Sequence, residues 1–258
     1  MSRLPISLGI VCLGILAACS QGPSFSLQRD GATDRIRVSD GVRVERERQR
    51  LRYRGELTEN GLDALKSLAA GSEIKVLEID SAGGEIVVGM DFGLWIHERG
   101  LDVEVNRACL SSCANYVFPA GRHKLIGPGA VVAWHGSARQ AGLLEQMHAS
   151  VESQISGRAR SRTEREREIA QARKANERYL TDAIHKQARF FHLIGVDEYV
   201  ALVGNEVYGV RGFFYLSVED MARFGIDRVS APEDYARMDP RALARRAGFP
   251  VTYVKLQQ

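Results

Sequence analysis

The stretch from Leu77 to Gly136 constrains the fold most, because strand-like and helix-like patterns alternate along it. An apolar strand pattern ends at Asp80, and an amphipathic helical pattern then runs from Glu85 towards Arg99. Further strand patterns follow that helix. Strands joined by crossover helices pair in parallel, and the sites of parallel sheets gather at the carboxyl ends of the strands. The sequence therefore predicts an α/β fold built from βα units.

Three groups suited to acyl transfer fall at such strand ends. Ser112 stands where a helix is predicted to begin, His135 ends a strand, and Gly84 belongs to a small-residue turn. A serine hydroxyl needs a base to take its proton, and the oxyanion formed by attack needs fixed N–H donors. We therefore predict Ser112 as nucleophile, His135 as base, and the N–H groups of Gly84 and Cys113 as the oxyanion hole.

Four segments carry a family resemblance: Ile79–Met90, Ala108–Gly121, Trp134-His135 and Phe214–Val229. In this order they resemble the oxyanion segment, nucleophile segment, base and closing segment of the proteolytic subunit of the Clp protease. The alignment of Ala108–Gly121 favours Ser112 over its rival Ser111 as the nucleophile. The resemblance implies a Clp protease/crotonase-like spiral of βαβ units.

That resemblance also implies a domain organisation and a function. It places the domain at 36–230, with a helical insertion at 137–193 after the strand of the base and a C-terminal extension at 231–258. A serine peptidase or related hydrolase is implied, acting on a peptide or protein substrate without a cofactor. The insertion corresponds to the helix that joins subunits in the family, so a homo-oligomer is implied.

The acid of the family's catalytic triad has no counterpart at the aligned position, which holds Phe213. Glu206, Asn205, Asp197 and Asp182 are the alternatives for a group that orients His135. Loss of the orienting acid slows such an enzyme without abolishing it. Two other functions therefore stay open: a catalytically degenerate scaffold that binds peptides or envelope proteins, and an enzyme that acts on thioesters as crotonases do.

The N-terminus is predicted to direct export. Residues 1–19 combine a positive start, an apolar run too short to span a bilayer, and the box Leu16-Ala17-Ala18-Cys19, which resembles a lipoprotein cleavage site. Cleavage would leave a lipid on Cys19, a tether over 20–35 and a protein in the periplasm. Ser20 favours the outer membrane. An ordinary cleaved signal and an uncleaved anchor are the alternatives.

Cys109 and Cys113 remain in the exported chain, where a disulfide is possible. On a regular helix two residues four apart are too distant for a disulfide, so Cys109 would have to precede the helix. Two buried reduced cysteines are the alternative. A metal site with His135 is a third, although no fourth ligand stands at a familiar spacing, and no metal is predicted.

Charge gives little support for nucleic-acid binding, because the net charge of the chain is only +3. Between Ser161 and Arg173 acidic and basic residues interleave, which is typical of a solvated helix with weak ion pairs. The C-terminal extension predicts a short helix after Arg241 and an extended segment at Val251-Thr252-Tyr253-Val254.

Overall fold

The computed structural model describes residues 25–30, 33–38, 41–156 and 161–257. The predicted leader and lipidated Cys19 lie outside the described residues. Within these ranges, no helix combines the length and the apolar character needed to cross a bilayer.

Within the described ranges, eleven strands form two sheets. The strands are β1 (Phe25–Asp30), β2 (Thr33–Val38), β3 (Arg43–Glu47), β4 (Arg50–Arg54), β5 (Val76–Ser81), β6 (Asp102–Leu110), β7 (Lys124–Ile126), β8 (Val131–Ala133), β9 (Phe213–Leu216), β10 (Val229–Ser230) and β11 (Val251–Val254). The larger sheet has the order β1-β2-β3-β4-β5-β6-β7-β10. Strand β8 pairs with the end of β6, after the part of β6 that pairs with β7. Pairing is antiparallel from β1 to β4 and parallel from β4 to β10. The predicted α/β class with a mostly parallel central sheet is thus confirmed.

The helices are α1 (Glu59–Ala69), α2 (Ile86–Arg99), α3 (Phe118–Ala120), α4 (Leu143–Ser156), α5 (Arg162–Ile194), α6 (Val203–Glu206), α7 (Val218–Ala222) and α8 (Pro240–Ala247). The Thr58 hydroxyl caps α1 by accepting from the N–H of Gly61. The spacing of Leu62, Leu65 and Leu68 predicts an amphipathic helix, and all three leucines are buried where α1 packs against the sheet. A π-helical turn, Cys113–Val117, leads directly into α3.

Two glycines of α2 let the helix that follows β6 approach closely. A Cβ on Gly89 would lie 2.9 Å from the Cβ of Ser112, and one on Gly93 would lie 2.5 Å from the carbonyl oxygen of Tyr116. Both distances are shorter than real Cβ contacts, so larger residues here would force the two helices apart. This contact fixes the turn that carries Ser111 and Ser112 against α2.

Strand β1 corrects the tether predicted over 20–35. Phe25–Asp30 pairs antiparallel with β2 and so extends the larger sheet. The prediction is therefore wrong for Phe25–Asp30, and for residues 33–35, which belong to β2. The polar composition of this segment resembles a linker, but an edge strand is also polar, and pairing with β2 supplies backbone hydrogen bonds that composition does not reveal.

The segment after the strand of His135, predicted as a helical insertion over 137–193, contains the helices α4 and α5. Helices α4 and α5 pack side by side, and Phe190 and Phe191 near the end of α5 are buried in the main core. Helix α5 is much longer than the charged stretch that predicted it. The predicted C-terminal helix and extended segment are confirmed as α8 and β11, and β11 pairs in parallel with β9.

Candidate active site

Ser111 is the first residue after β6 and makes a sharp turn there. Its φ is +54°, a left-handed conformation that costs a non-glycine residue on the order of 1 kcal/mol. Its N–H donates to the Ala133 carbonyl at 3.0 Å, and its carbonyl accepts from the Asn115 N–H at 2.8 Å. A strained serine between a strand and a helix has its side chain held away from both elements, as in hydrolases that present a nucleophile on such a turn.

The hydroxyl of Ser111 lies 2.7 Å from Nε2 of His135. Ser112 instead donates from its hydroxyl to the carbonyl of Gly84 at 2.9 Å and is buried. The prediction that Ser112 pairs with His135 is therefore wrong in the structure. The rival serine, Ser111, holds that place.

The π-helical turn gives the physical reason for this difference of one residue. The N–H of Phe118 bonds to the carbonyl of Cys113, five residues back, whereas a regular α-helix bonds four residues back. A π-turn accommodates one extra residue without lengthening the helix. Ser111 lies on the turn that precedes this helix, one position before the serine that the alignment favoured.

Because Ser111 is the paired serine, the second oxyanion donor shifts from Cys113 to Ser112. The residue directly after the paired serine is Ser112, at the start of the helix, where N–H groups have no intrahelical acceptor. Within the described residues, neither the N–H of Ser112 nor that of Gly84 donates to a backbone or side-chain acceptor. A Cβ on Gly83 would lie 3.0 Å from the Ser112 nitrogen, so the glycine turn runs directly beside it. The N–H of Cys113, predicted as the second donor, lies one residue further along.

A disulfide joins Cys109 to Cys113 and encloses the turn. Cys109 is on β6 and Cys113 begins the π-helical turn, so the two cysteines do not share a regular helix. Cys109 therefore precedes the helix, as a disulfide with Cys113 requires, and the disulfide alternative is confirmed. The cross-link spans Leu110, Ser111 and Ser112 and ties the strand to the helix on either side of the serine.

The backbone on both sides of His135 is fixed. Trp134 and Phe214 exchange two backbone hydrogen bonds, each 2.8 Å long. On the other side, the amide nitrogen of Asn115 donates to the Gly136 carbonyl at 2.8 Å. Asn115 comes from the helix that begins at Ser112, so the same helix positions both the serine turn and the loop of the base.

A pair of aromatic rings packs against His135. The ring of Phe213 lies 4.3 Å from that of His135 between centroids, and Phe249 stacks on the far side of Phe213 at 4.2 Å. Burial lowers the pKa of His135 below its usual range. The imidazole is therefore neutral near pH 7, the state in which Nε2 can accept the Ser111 proton.

None of the four alternative acids or amides contacts His135. Asp197 caps the turn at Tyr199, and the Asn205 amide donates to the carbonyls of Val210 and Gly212. Glu206 interacts with the hydroxyl of Tyr199, and Asp182 is exposed on α5. Among the described residues, Nδ1 of His135 has no hydrogen-bond partner.

A buried hydrogen-bond network that the sequence did not indicate holds the loop after His135. Its centre is Gln187 of α5, which is fully buried. The Gln187 carbonyl accepts from the Tyr116 hydroxyl at 2.6 Å and the Ala138 N–H at 3.2 Å, and its amide donates to Glu198 at 2.7 Å. Sequence reasoning had no means to find this network, because its members are far apart in the chain and follow no motif.

The described residues contain no group of three or more His, Cys, Asp or Glu side chains arranged to hold a metal ion. The site consists of Ser111, His135, the glycine turn and the aromatic pair behind the histidine. When the sequence is compared with protein-family models and with curated proteins, neither comparison finds a match.

Proposed function

We propose that this protein is a serine hydrolase of the acyl-transfer type, with Ser111 as nucleophile and His135 as general base. The observation that carries the proposal is the 2.7 Å contact between Ser111 Oγ and His135 Nε2 on a strained turn after a parallel strand. Strained backbone and perturbed pKa values both cluster at functional sites, and Ser111 and His135 combine the two.

The reaction follows from the positions of these groups. His135 Nε2 takes the hydroxyl proton as Ser111 Oγ forms a bond to the acyl carbon, and the carbonyl electrons move to oxygen. The N–H groups of Ser112 and Gly84 are the donors proposed to meet this oxyanion. His135 then gives the proton to the leaving group as the bond to it breaks. Water then forms a bond to the acyl carbon while His135 takes its proton. The bond from that carbon to Ser111 Oγ breaks, the acid leaves, and His135 returns the proton to Ser111.

Without an orienting acid, this hydrolase is expected to be slow. Replacing the acid of a serine triad by its amide lowers kcat by about 10⁴-fold, mainly because the histidine loses its correct tautomer and orientation. Here Phe213, Trp134 and Asn115 restrain the histidine by packing and by backbone hydrogen bonds. Packing restores orientation but supplies no charge to stabilise the imidazolium.

The finer fold assignment belongs to the same proposal. A parallel sheet, a glycine turn between β5 and α2, and a serine turn after β6 support a Clp protease/crotonase-like domain with a helical insertion. The lipoprotein box supports a lipid on Cys19 and a periplasmic location at the outer membrane. A peptide or protein substrate and a homo-oligomer follow from the family resemblance.

A second function, a non-catalytic binding scaffold, is favoured by one observation. Phe213 and Phe249 fill the position of the acid and leave His135 without a charged partner among the described residues. A scaffold would keep the site without turnover.

Ester hydrolysis separates the two functions. Purified protein is incubated with p-nitrophenyl acetate, and the acylated protein is sought by mass spectrometry. The proposed enzyme forms an acetyl adduct that maps to Ser111 and is absent from Ser111→Ala. Ser112→Ala is the matched control and is expected to form the adduct. A folded protein with no adduct at Ser111 would support the scaffold.

A further inference from the structure

A second cleft, of about 470 Å³, lies at the end of β6 away from Ser111. Lys124 in this cleft pairs with Val103 near the start of β6, whereas Ser111 follows the last residue of that strand. At about 3.3 Å per residue, the two sites are on the order of 20 Å apart. The ends of α2, α3 and α5 form its walls with Gly100, Gly121 and Gly195.

Lys124 carries a buried charge that the protein balances only in part. The residue is 5% exposed, and its ammonium donates to the Asp227 carbonyl at 2.8 Å. Across the described ranges, no carboxylate oxygen lies within ion-pair distance of this ammonium, and that carbonyl is its single hydrogen-bond acceptor. An ammonium has three donors, so two of them are left for another acceptor. A buried charge without such partners is costly.

Further cations face the same cleft. Arg228 lies beside Lys124 with a φ of +53°, and no ion pair of its guanidinium occurs within the described residues. Arg122 also lines the cleft but is held by Asp102, with a contact of 3.0 Å. The Asp227 carboxylate is the acid on the rim, and it is exposed.

Helix carbonyls do not account for this arrangement of cations. The carboxyl ends of α2 and α5 reach the cleft, and such ends attract cations weakly. Both ends are capped by their own glycines, because Gly100 donates to His97 and Gly195 donates to His192. Burial and the neighbouring Arg228 lower the pKa of Lys124 to about 8, so the surrounding carbonyls do not offset the cost of burying the charge.

We propose that this cleft is a binding site for a tetrahedral oxyanion, phosphate in chemical class, held by Lys124 and Arg228. Two unused donors of a buried ammonium and an unpaired guanidinium match the several acceptor oxygens of such an anion. Glycine walls leave room for a group attached to the phosphate, since a Cβ on Gly100 or Gly195 would meet nothing within 4 Å. Free phosphate and a phosphomonoester share this chemistry.

The test is thermal unfolding of the purified full chain with increasing inorganic phosphate or glycerol 3-phosphate, at constant ionic strength set with chloride. The Tm is expected to rise with the concentration of either anion, because binding stabilises the folded state. The anion with the lower Kd is the preferred ligand. Lys124→Met is expected to weaken binding by about tenfold or more, because it removes charge-assisted hydrogen bonds. Lys75→Met, at an exposed lysine, is the matched control and should leave the Kd unchanged.

The Tm in chloride alone shows whether a variant binds phosphate weakly because its fold is destabilised. Lys124→Met replaces an unbalanced buried charge by an apolar side chain of similar length, so its Tm in chloride should equal or exceed that of the wild type. Arg228→Gly relieves the left-handed strain and should likewise bind phosphate more weakly while remaining folded. The proposal is overturned if phosphate and chloride give the wild type the same Tm, or if Lys124→Met retains the full shift.

Discussion

Removing the disulfide should loosen the serine turn and destabilise the fold by a predictable amount. Cys109 and Cys113 are four residues apart in sequence, so the bond closes a very short loop. The chain-entropy relation gives about 2 kcal/mol of stabilisation for a loop of this size. The left-handed conformation of Ser111 costs about 1–2 kcal/mol, which is comparable. The stabilisation from the cross-link is therefore of the same size as the cost of this conformation.

The assay compares the oxidised protein with the same protein refolded under a reductant, by urea unfolding and by the rate of reaction with a fluorophosphonate. We expect a loss of about 2 kcal/mol in the free energy of unfolding, with an unchanged m value. The labelling rate should fall about tenfold, since 1.4 kcal/mol of lost preorganisation corresponds to that factor. The Cys109→Ala/Cys113→Ala variant should lose further stability through packing, because both side chains are fully buried.

Two results would refute this reasoning. Equal stability of the oxidised and reduced proteins would mean that the bond does not restrain the unfolded chain. Equal labelling rates, together with a loss of stability, would mean that neighbouring contacts hold the Ser111 turn without the bond.

Three further predictions concern the same site. Phe213→Asp should raise the pKa of His135, which burial lowers, and so move the acidic limb of the kcat/KM profile to higher pH. Phe213→Asn, without the charge, should leave that limb in place. Gly83→Ala should lower the free energy of unfolding in urea by on the order of 1–3 kcal/mol and abolish fluorophosphonate labelling, because its Cβ would lie 2.8 Å from the Leu110 carbonyl oxygen. Gly71→Ala, also at positive φ but in open space, should cost about 1 kcal/mol and leave the labelling intact. Gln187→Leu should lower the free energy of unfolding by about 2–4 kcal/mol, since it leaves several buried polar groups unpaired; a loss below about 1 kcal/mol would show that the network is not a stabilising one.

Local patterns in the sequence were sufficient to predict much of the fold. The spacing of Leu62, Leu65 and Leu68 after Thr58 gave α1, because an amphipathic helix has to bury one face and cap its start. The glycines between β5 and α2 predicted the turn there. These elements are determined by residues close in sequence, so the chain pattern contains the information.

The alignment of Ala108–Gly121 did not identify the serine that pairs with His135, because it favoured the neighbouring Ser112. The π-helical turn Cys113–Val117 adds one residue, and no residue type marks such a turn. A signal for Ser111 did exist in the strand pattern, since the apolar run Ala108-Cys109-Leu110 places Ser111 first after the strand. The Gln187 network and the β1 pairing depend on contacts between distant segments, which local patterns do not encode.

Fluorophosphonate labelling followed by peptide mapping tests the central claim most directly, because the probe reacts only with an activated serine. The wild-type protein is compared with Ser111→Ala, Ser112→Ala and His135→Ala under the same conditions. The account predicts an adduct on Ser111 in the wild type and in Ser112→Ala, and none in Ser111→Ala or His135→Ala. An adduct on Ser112, or a folded wild-type protein that takes up no probe, would contradict it.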